Sequence, residues 1–372
     1  MPGRAYEWMP TDGAVAEAFT RVGIASDAPD ISEFTGAFNR SFRYVDTDGN
    51  QRVLRMRPRW LTERRMNFEH AFARHQLEHG IPVLTPIPIG SGTWFRVGDI
   101  FCEVYPFVEG RSGRTEPDEA YRAGMLLGHF HRCGRDFDRN LYEPPEVQNQ
   151  LDPWELQPRL DVLRRFAAGD EVAGVRFAGD AGLFDRLWAR WAAIEDGYPR
   201  DCASWPRGYR HGDVHMWNLL FSDADPGRIL ALLDLDMVAE GTRIYDVSYA
   251  LHILLRCTAW ETPQSATGRE ADEWRAICRE FLRGYHDAGQ GPFTAEEIAV
   301  APLQIECVAI LFLSHNVVRE PHADRAERVL RDEHLDIVDW LDRHQAELAV
   351  LLEQPLHNER RPGRAPGLEG DT

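Results

Sequence analysis

The chain has 372 residues and a formal net charge of −18, from 42 basic and 60 acidic side chains. Such an acidic surface repels nucleic acid and anionic membrane, so we expect neither as a partner. Hydrophobic residues make up 43% of the chain, which is enough for the cores of two domains or lobes. We see no apolar run near the length of about 18 residues that a membrane span needs.

The basic residues are unusual, because all 42 are arginine and the sequence contains no lysine. Codon bias in a GC-rich genome is favoured over a functional cause. Any role that a lysine would fill must still fall to arginine. The six cysteines contain no C-x-x-C pair, which argues against a zinc site and a disulfide framework. Together with a start that lacks a signal-peptide pattern, this indicates the cytoplasm.

The first hundred residues are predicted to be rich in strands, with one helix. A helical pattern at 62–79 ends at Gly80. A hinge-like stretch follows the last strand, at 106–113. The predicted strands lie at 31–35, 41–45, 52–56, 93–97 and 100–105.

The rest of the chain is predicted to be mainly helical. Thr115 and Asp118 predict the N-terminal cap of a helix at 121–132. The tail from Asn358 is polar and rich in Pro and Gly, which predicts disorder. Further helices are predicted at 151–166, 183–194, 245–255, 273–286, 295–318 and 323–352.

One segment carries most of the chemical information. Residues 211–221 read HGDVHMWNLLF, and residues 232–236 read LLDLD. They contain an acid at Asp213, an amide at Asn218 and a second acid at Asp234. Phosphoryl transfer needs a carboxylate that orients and deprotonates the attacking hydroxyl, and an amide and a carboxylate that hold Mg²⁺ on the nucleotide phosphates. The segment therefore predicts a kinase.

A hairpin would bring these side chains together. Short strands are predicted at 218–221 and 229–233, joined by a turn. Folding about the turn puts Asn218 opposite Leu232, with Asp234 just beyond. Both polar side chains would then lie within reach of a shared metal ion.

Two residues near these strands have alternative interpretations. Asp236 is either a second metal contact or an acid that orders the loop, and the sequence leaves both open. For His215 a structural hydrogen bond within the loop is favoured over a role as a base.

The chain resembles the aminoglycoside phosphotransferase superfamily, which also contains homoserine, methylthioribose and choline kinases. The resemblance covers about residues 30–350, and 281–285 (FLRGY) is similar to the homoserine-kinase-like branch. The segment GAFNRS at 36–41 matches the nucleotide loop of the family. The other matching segments are 211–221, LDLD at 233–236 and YDVSYA at 245–250.

The resemblance implies an α+β, protein-kinase-like fold of two lobes with ATP in the cleft between them. A small β-rich lobe is expected at 1–105 and a hinge at 106–114. A larger, mainly helical lobe at 115–357 would carry the catalytic loop and the acceptor pocket. The remaining residues, 358–372, form the predicted disordered tail.

By position in the family motifs, the resemblance assigns Asp213 as the catalytic carboxylate. It assigns Asn218 and Asp234 as the metal ligands. His211 would hold the shape of the loop, and Asp246 would anchor the helix that follows.

The implied nucleotide site departs from the family in one position, because Arg55 stands where a phosphate-binding lysine is usual. Arginine stays charged when buried and can hold phosphate with two hydrogen bonds. We predict that Arg55 pairs with Glu69 on the helix at 62–79, with Glu63 as the competing partner; a surface pair without function is the alternative. The other expected nucleotide contacts are Gly36, Asn39, Glu103 and Tyr105.

The sequence thus predicts an ATP- and Mg²⁺-dependent kinase that phosphorylates a hydroxyl group of a small molecule. Amino sugars, antibiotics (with a role in resistance) and other natural products, amino alcohols, nucleosides and sugars all stay open as acceptors. A nucleotide-binding scaffold without catalysis is the alternative: Asp213, Asn218 and Asp234 argue against it, whereas Arg55 and the sparse glycine loop keep it open. A protein kinase is disfavoured, because the sequence has no His-Arg-Asp or Ala-Pro-Glu element. A monomer or a homodimer is expected.

Overall fold

The structure is a computed structural model. Two predictions, the disordered tail at 358–372 and the nucleotide contact of Gly36, lie outside the residues that it describes, as does part of the predicted helix at 323–352. It describes residues 10–34, 39–57, 61–145, 156–172, 176–177, 182–200, 204–225, 227–260, 271–319, 331 and 335–353.

An antiparallel sheet of five strands occupies the first part of the chain. Its order is β1-β2-β3-β5-β4, and the pairing of the two long strands β3 and β5 sets Arg55 opposite Glu103. All five strands begin and end within two residues of their predicted bounds. They are β1 Ser32–Phe34, β2 Arg40–Val45, β3 Gln51–Arg57, β4 Phe95–Val97 and β5 Ile100–Pro106.

A helix that the sequence analysis missed, α1 at Asp12–Arg21, precedes the sheet. The prediction of one helix in the first hundred residues is therefore wrong. The side chain of Thr11 caps the first turn of α1, which is a signal that the sequence carried. Phe19 of this helix packs edge-on against Phe42 and Tyr44, at 5.6 and 5.7 Å between ring centroids. Helix α1 thus covers one face of the sheet.

Helix α2, at Glu63–Glu78, follows β3 and agrees with its prediction. Its apolar side chains join the core of the helical part of the chain, whereas the sheet has a separate core. The Phe72 ring lies 5.1 Å from that of Phe137 and 5.0 Å from that of Tyr209. Helix α2 is therefore packed on the helices, although it follows the sheet in sequence.

Seven further helices follow in the part of the chain that the structure describes, and each overlaps a predicted one. The first begins earlier than predicted, because Pro117 takes the first helical position, which its fixed φ favours. Glu116, rather than Thr115, then occupies the N-cap position. The helices are α3 Pro117–Gly134, α4 Gln157–Ala167, α5 Gly182–Gly197, α6 Arg243–Trp260, α7 Ala271–Asp287, α8 Ala295–Arg319 and α9 Asp336–Glu353.

Glycines let α3 and α7 approach along their backbones. A Cβ atom on Gly124 would lie 1.9 Å from the carbonyl oxygen of Phe281, and one on Gly284 would lie 2.0 Å from that of Tyr121. No side chain fits at either distance, so these positions require glycine. The glycine of segment 281–285 thus has a packing role.

Part of α8, Ala295–Ser314, is long and apolar enough to cross a membrane, judged by length and composition alone. This finding differs from the expectation that the sequence has no apolar run near 18 residues. However, 78% of this stretch is buried inside the protein. A helix that is apolar on all sides is what the centre of a helical core requires.

Five shorter strands lie among the helices in the described residues, and two of them, β8 and β9, contribute Leu220 and Leu232 to the lining of the cavity between the sheet and the helices. The five strands form a three-stranded sheet, β6-β8-β9, and a two-stranded ribbon, β7-β10. A sheet followed by helices confirms the predicted α+β fold class. The short strands are β6 Arg111–Ser112, β7 Arg207–Arg210, β8 Leu219–Phe221, β9 Ile229–Leu232 and β10 Ala239–Thr242.

Candidate active site

Strands β8 and β9 form the predicted hairpin, but in a register shifted by one residue. A bulge near the turn pairs Leu219, rather than Asn218, with Leu232. The backbone N–H of Leu233 donates to the carbonyl oxygen of Asn218 at 2.8 Å. The shift therefore brings Asn218 one residue closer to Asp234 than the simple hairpin does.

The loop between β7 and β8 is held by Asp246, in the first turn of α6. This buried carboxylate accepts hydrogen bonds from the backbone N–H groups of His211 and Gly212, at 2.6 and 2.8 Å, and lies 2.9 Å from Nε2 of His131. Burial alone would raise the pKa of Asp246, but these bonds hold it below its usual value. His211 Nε2 lies 3.0 Å from the Leu233 carbonyl oxygen, which ties the loop to the hairpin.

Two residues of the site have left-handed backbones. Gly212 has a φ of 82°, and Asp234 has a φ of 62°, the one positive φ outside glycine in the described part of the chain. Aspartate visits this region more readily than most residues but still at some cost in energy. Such backbone strain is concentrated at functional sites.

The side chain of Asp213 is held through both oxygens. Tyr249 donates its hydroxyl to Oδ1 at 2.5 Å, and Asn218 donates Nδ2 to Oδ2 at 3.3 Å. His215 Nε2 lies 3.6 Å from Oδ1. Burial raises the pKa of Asp213, but His215 and Tyr249 together lower it to about 2. The sequence analysis missed Tyr249, although its place three residues after Asp246 on a helix puts the two on one face.

Arg55 lies between two acids that follow β9. Its Nη2 is 2.7 Å from Oδ1 of Asp234 and 2.9 Å from Oδ2 of Asp236. Asp236 also accepts from Asn39 at 2.8 Å and pairs with Arg57 at 3.2 Å. Burial and the charge of Asp236 raise the pKa of Asp234. Among the described residues, Asp236 thus has two arginine partners and Asp234 has one.

The predicted pair of Arg55 and Glu69 is wrong. Glu69 pairs instead with Arg57. The Nη1 atom of Arg57 lies 2.9 Å from Oε2 of Glu69 and 3.1 Å from Oε1 of Glu103. Arg55 and Arg57 lie on one face of β3, because side chains alternate along a strand. The strand leads into α2, so Arg57 is the nearer of the two to Glu69, whereas Arg55 reaches Asp234.

A second arginine that the sequence analysis missed, Arg65, locks α2 to the loop after β9. It donates to Oε1 of Glu69 at 2.5 Å and to the carbonyl oxygens of Asp236 and Val238 at 2.7 and 2.9 Å. Arg65 and Arg57 are both 2% exposed. Its position four residues before Glu69 was the signal available in the sequence.

Glu103, an expected nucleotide contact, is fully buried. Its carboxylate pairs with Arg57 and with Nε2 of His70 at 2.7 Å, so the side chain faces the ion-pair network and not the cleft. Tyr105, two residues further along β5, does line the cleft.

A cavity of about 710 Å³ lies between the sheet and the helical part. This volume is typical of small-molecule sites. Its apolar section includes Val53, Leu84, Tyr105, Phe107, Leu220 and Leu232. Its polar end includes Asn39, Arg55, Asp213, Asn218, Asp234 and Asp236. An apolar slot thus leads to a charged end that contains all three residues predicted for catalysis and metal binding.

The residues at the charged end fit Mg²⁺. Asn218 uses its Nδ2 to donate to the backbone oxygen of Asp213 at 2.9 Å, which leaves its Oδ1 as a ligand. Asp234 has one oxygen beside Arg55 and another that remains available. An amide oxygen and a carboxylate oxygen are the hard donors that Mg²⁺ takes alongside water and phosphate. Both oxygens of Asp236 already have partners, which favours the loop-ordering alternative for this acid.

Comparison with known proteins gives a family and a fold. The phosphotransferase enzyme family, APH, matches residues 30–285 of this chain. A homoserine kinase of Burkholderia cenocepacia is 28% identical over 248 residues, which are 64% of this chain. The matched part is 65% of that kinase, so the chain covers just under two thirds of its length.

Solved structures have the same architecture. A microcompartment-associated aminopropanol kinase has a TM-score of 0.65 at 16% identity, covering 91% of this chain and 99% of its own. An amicoumacin kinase in complex with AMP-PNP and Ca²⁺ has a TM-score of 0.61 at 17% identity, covering 84% and 89%. At these identities the likeness shows the fold, which is the expected protein-kinase-like one.

Proposed function

Because the chain belongs to the phosphotransferase enzyme family, we propose that it is a kinase that transfers the γ-phosphate of ATP to a hydroxyl group of a small molecule, with Mg²⁺ as the metal. The observation that carries the proposal is the convergence of Asp213, Asn218 and Asp234 at the charged end of one cleft. Phosphoryl transfer requires these groups: a carboxylate beside the acceptor, and an amide and a carboxylate for the metal.

The cleft offers separate places for the parts of the nucleotide. The base would lie in the apolar slot, beside Val53 and Leu232, and the phosphates would extend towards Arg55. A guanidinium can hold phosphate oxygens through two parallel hydrogen bonds. Asn218 and Asp234 would hold Mg²⁺, which neutralises charge on the phosphate oxygens.

The transfer step makes one bond and breaks one. The acceptor oxygen attacks the γ-phosphorus in line, the bond to the bridging oxygen breaks, and ADP leaves. The hydroxyl proton passes to the carboxylate of Asp213. A pKa near 2 makes Asp213 a weak base towards an intact hydroxyl. It therefore acts first by orienting the hydroxyl and takes the proton late, when the new bond has made that proton acidic.

The acceptor is proposed at the level of a class. A homoserine kinase is among the curated relatives, which puts amino alcohols first among the candidate acceptors. The acceptor pocket would be built mainly by the helical residues after Asp236. We also propose the lobe division with the hinge at 106–114, and a cytoplasmic location.

The test is a screen for ADP release over a library of amino alcohols, amino sugars, nucleosides and hydroxylated antibiotics. We expect Mg²⁺-dependent turnover of at least one acceptor. In the Asp213→Asn variant kcat is expected to fall by about 10²–10⁴-fold while ATP binding persists. Asp223→Asn, an exposed aspartate in the hairpin turn, is the matched control. Mg-ATP binding without turnover of any acceptor would support the scaffold alternative.

A further inference from the structure

A second cavity, of about 490 Å³, lies beside β7, the strand that precedes the loop carrying Asp213. It is bordered by the end of α3, the ribbon β7-β10 and the loop between α7 and α8, and it shares no lining residue with the cleft. Its described lining contains four arginines and one histidine but no aspartate or glutamate, in a chain with 60 acids. The charged lining residues are His131, Arg135, Arg207, Arg210 and Arg243.

One wall of this cavity is held rigid by Arg243. Its guanidinium pairs with Glu297 at 2.8 Å and donates to the carbonyl oxygens of Gln290 and Pro292 at 2.6 and 2.7 Å. Gln290 in turn accepts from Arg135 at 2.7 Å. Arg243 is therefore neutralised and structural, and it fixes the loop that faces the other arginines.

The floor of the cavity is a pair of facing glycines on the ribbon. Gly208 lies opposite Gly241 in the register, and a Cβ atom on Gly208 would meet nothing within 4 Å. A Cβ atom on Gly241 would lie 2.8 Å from Cδ of Arg210. Glycine at this position lets the Arg210 side chain lie across the strand, with its guanidinium 3.8 Å from the centre of the Tyr245 ring. The stacked guanidinium is thereby ordered at the edge of the cavity.

Two arginines leave the cavity with uncompensated positive charge. In the part of the chain that the structure describes, neither Arg135 nor Arg207 forms an ion pair, and the one hydrogen bond of Arg135 goes to a neutral amide. A concave site lined by one sign of charge concentrates ions of the opposite sign. The planar fork of arginine matches the oxygens of phosphate.

We propose that this cavity is a second ligand site, which binds a small phosphate-bearing anion apart from the nucleotide cleft. Arg135 and Arg207 supply the unpaired charge, and Arg210 supplies an ordered edge. The open floor at Gly208 admits the anion against the backbone.

The test uses inorganic pyrophosphate as the probe, titrated calorimetrically in metal-free buffer at constant ionic strength. The double variant Arg135→Gln/Arg207→Gln removes the unpaired charges. Arg139→Gln is the matched control, because its side chain is 66% exposed near the same strands but lines neither cavity. Arg55→Gln tests the cleft. Thermal unfolding reports whether each variant is folded, and Mg-ATP binding reports whether the cleft is intact in the double variant and in Arg139→Gln.

We expect pyrophosphate to bind the wild-type protein and to bind at least about tenfold more weakly to the folded double variant, because two charge-assisted contacts are lost. Arg139→Gln is expected to bind as the wild type does. Arg55→Gln is expected to lose only binding in the cleft and to keep the pyrophosphate site that the double variant loses. Absence of binding to the wild type, or unchanged affinity in the double variant, overturns the proposal. Loss of binding in Arg55→Gln alone also overturns it, because the anion then occupies the cleft.

Discussion

Arg57 and Glu69 form a buried salt bridge, with 2.9 Å between Nη1 and Oε2, while Arg55 two residues earlier contacts Asp234 and Asp236. Two arginines on one face of β3 therefore have different partners. Arg57 joins the sheet to α2, whereas Arg55 points into the cleft, where phosphates are proposed to bind. The two positions are expected to respond differently to substitution.

Arg57→Gln is expected to lower the free energy of unfolding by up to about 3–5 kcal/mol, because Glu69 and Glu103 lose the buried cation that they share and keep Arg65 and His70 as their near partners. Arg55→Gln should cost less stability and mainly raise the KM for ATP. Urea unfolding is measured for Arg55→Gln, Arg57→Gln and Glu69→Gln, and for the double variants that combine Glu69→Gln with each arginine change. These measurements show which arginine is energetically coupled to Glu69. We expect coupling of about 0.5–3 kcal/mol between positions 57 and 69, and additive effects between 55 and 69. Coupling between positions 55 and 69, with additive effects between 57 and 69, would instead support the pair of Arg55 and Glu69 that was predicted from the sequence.

Asp234→Asn is expected to abolish turnover and to weaken ATP binding in the presence of Mg²⁺, because a charged metal ligand is lost. ATP binding without metal should persist, because the variant removes the ion pair between Asp234 and Arg55 and leaves the Arg55 guanidinium available to the phosphates. Calorimetric titrations with and without Mg²⁺ measure both effects. A folded variant with wild-type affinity for Mg-ATP would contradict the assignment of Asp234 as a metal ligand.

Tyr249→Phe is expected to lower kcat about 10–100-fold and to leave the KM for ATP within about twofold. The lost hydrogen bond is made to a carboxylate, and such bonds contribute about 1.5–3 kcal/mol. Tyr121→Phe is the matched control, because its hydroxyl donates to Asp287 at 3.0 Å far from the cleft. Steady-state kinetics of both variants give the comparison. Equal kcat values in the two variants would show that Tyr249 does not position Asp213.

Gly212→Ala is expected to destabilise the loop and reduce turnover together. At a φ of 82° alanine is strained by about 1–3 kcal/mol, and its Cβ would lie 2.6 Å from the Met237 carbonyl oxygen. Gly13→Ala in α1 is the control, because its nearest neighbour is the Thr11 hydroxyl at 3.8 Å. That change is expected to leave stability equal or raise it by up to about 1 kcal/mol. Thermal unfolding of both variants checks the difference.

Local patterns in the sequence predicted most elements of the fold. The five strands of the first sheet follow from β-prone runs between turn residues, and α2 follows from its helical pattern and its stop at Gly80. The hairpin of β8 and β9 was predicted with its register one residue off. A bulge adds one extra residue to one strand of the pair, which a count from the turn centre does not include.

The partners of charged residues were harder to predict than the elements. Alternation along β3 puts Arg55 and Arg57 on one face, but the choice of partner for Glu69 depends on where α2 docks. That docking is set by Phe68 and Phe72 in the helical core, far from the arginines in sequence. The contact of Tyr249 with Asp213 likewise depends on the packing of α6 against the loop.

The arginines of β3 keep their ion pairs intact at alkaline pH. Burial alone would lower the pKa of Arg57, but Asp236 and Glu69 raise it well above its usual value, so its proton stays in place. A lysine in this position would be open to deprotonation and to amine-directed acylation. Low pH can break these ion pairs by protonating their carboxylates. Burial alone would raise the pKa of Glu103, but Arg57 and His70 hold it below its usual value. Its contribution to stability is complete above the unfolded carboxyl pKa of about 4.3 and disappears as the pH falls below that value.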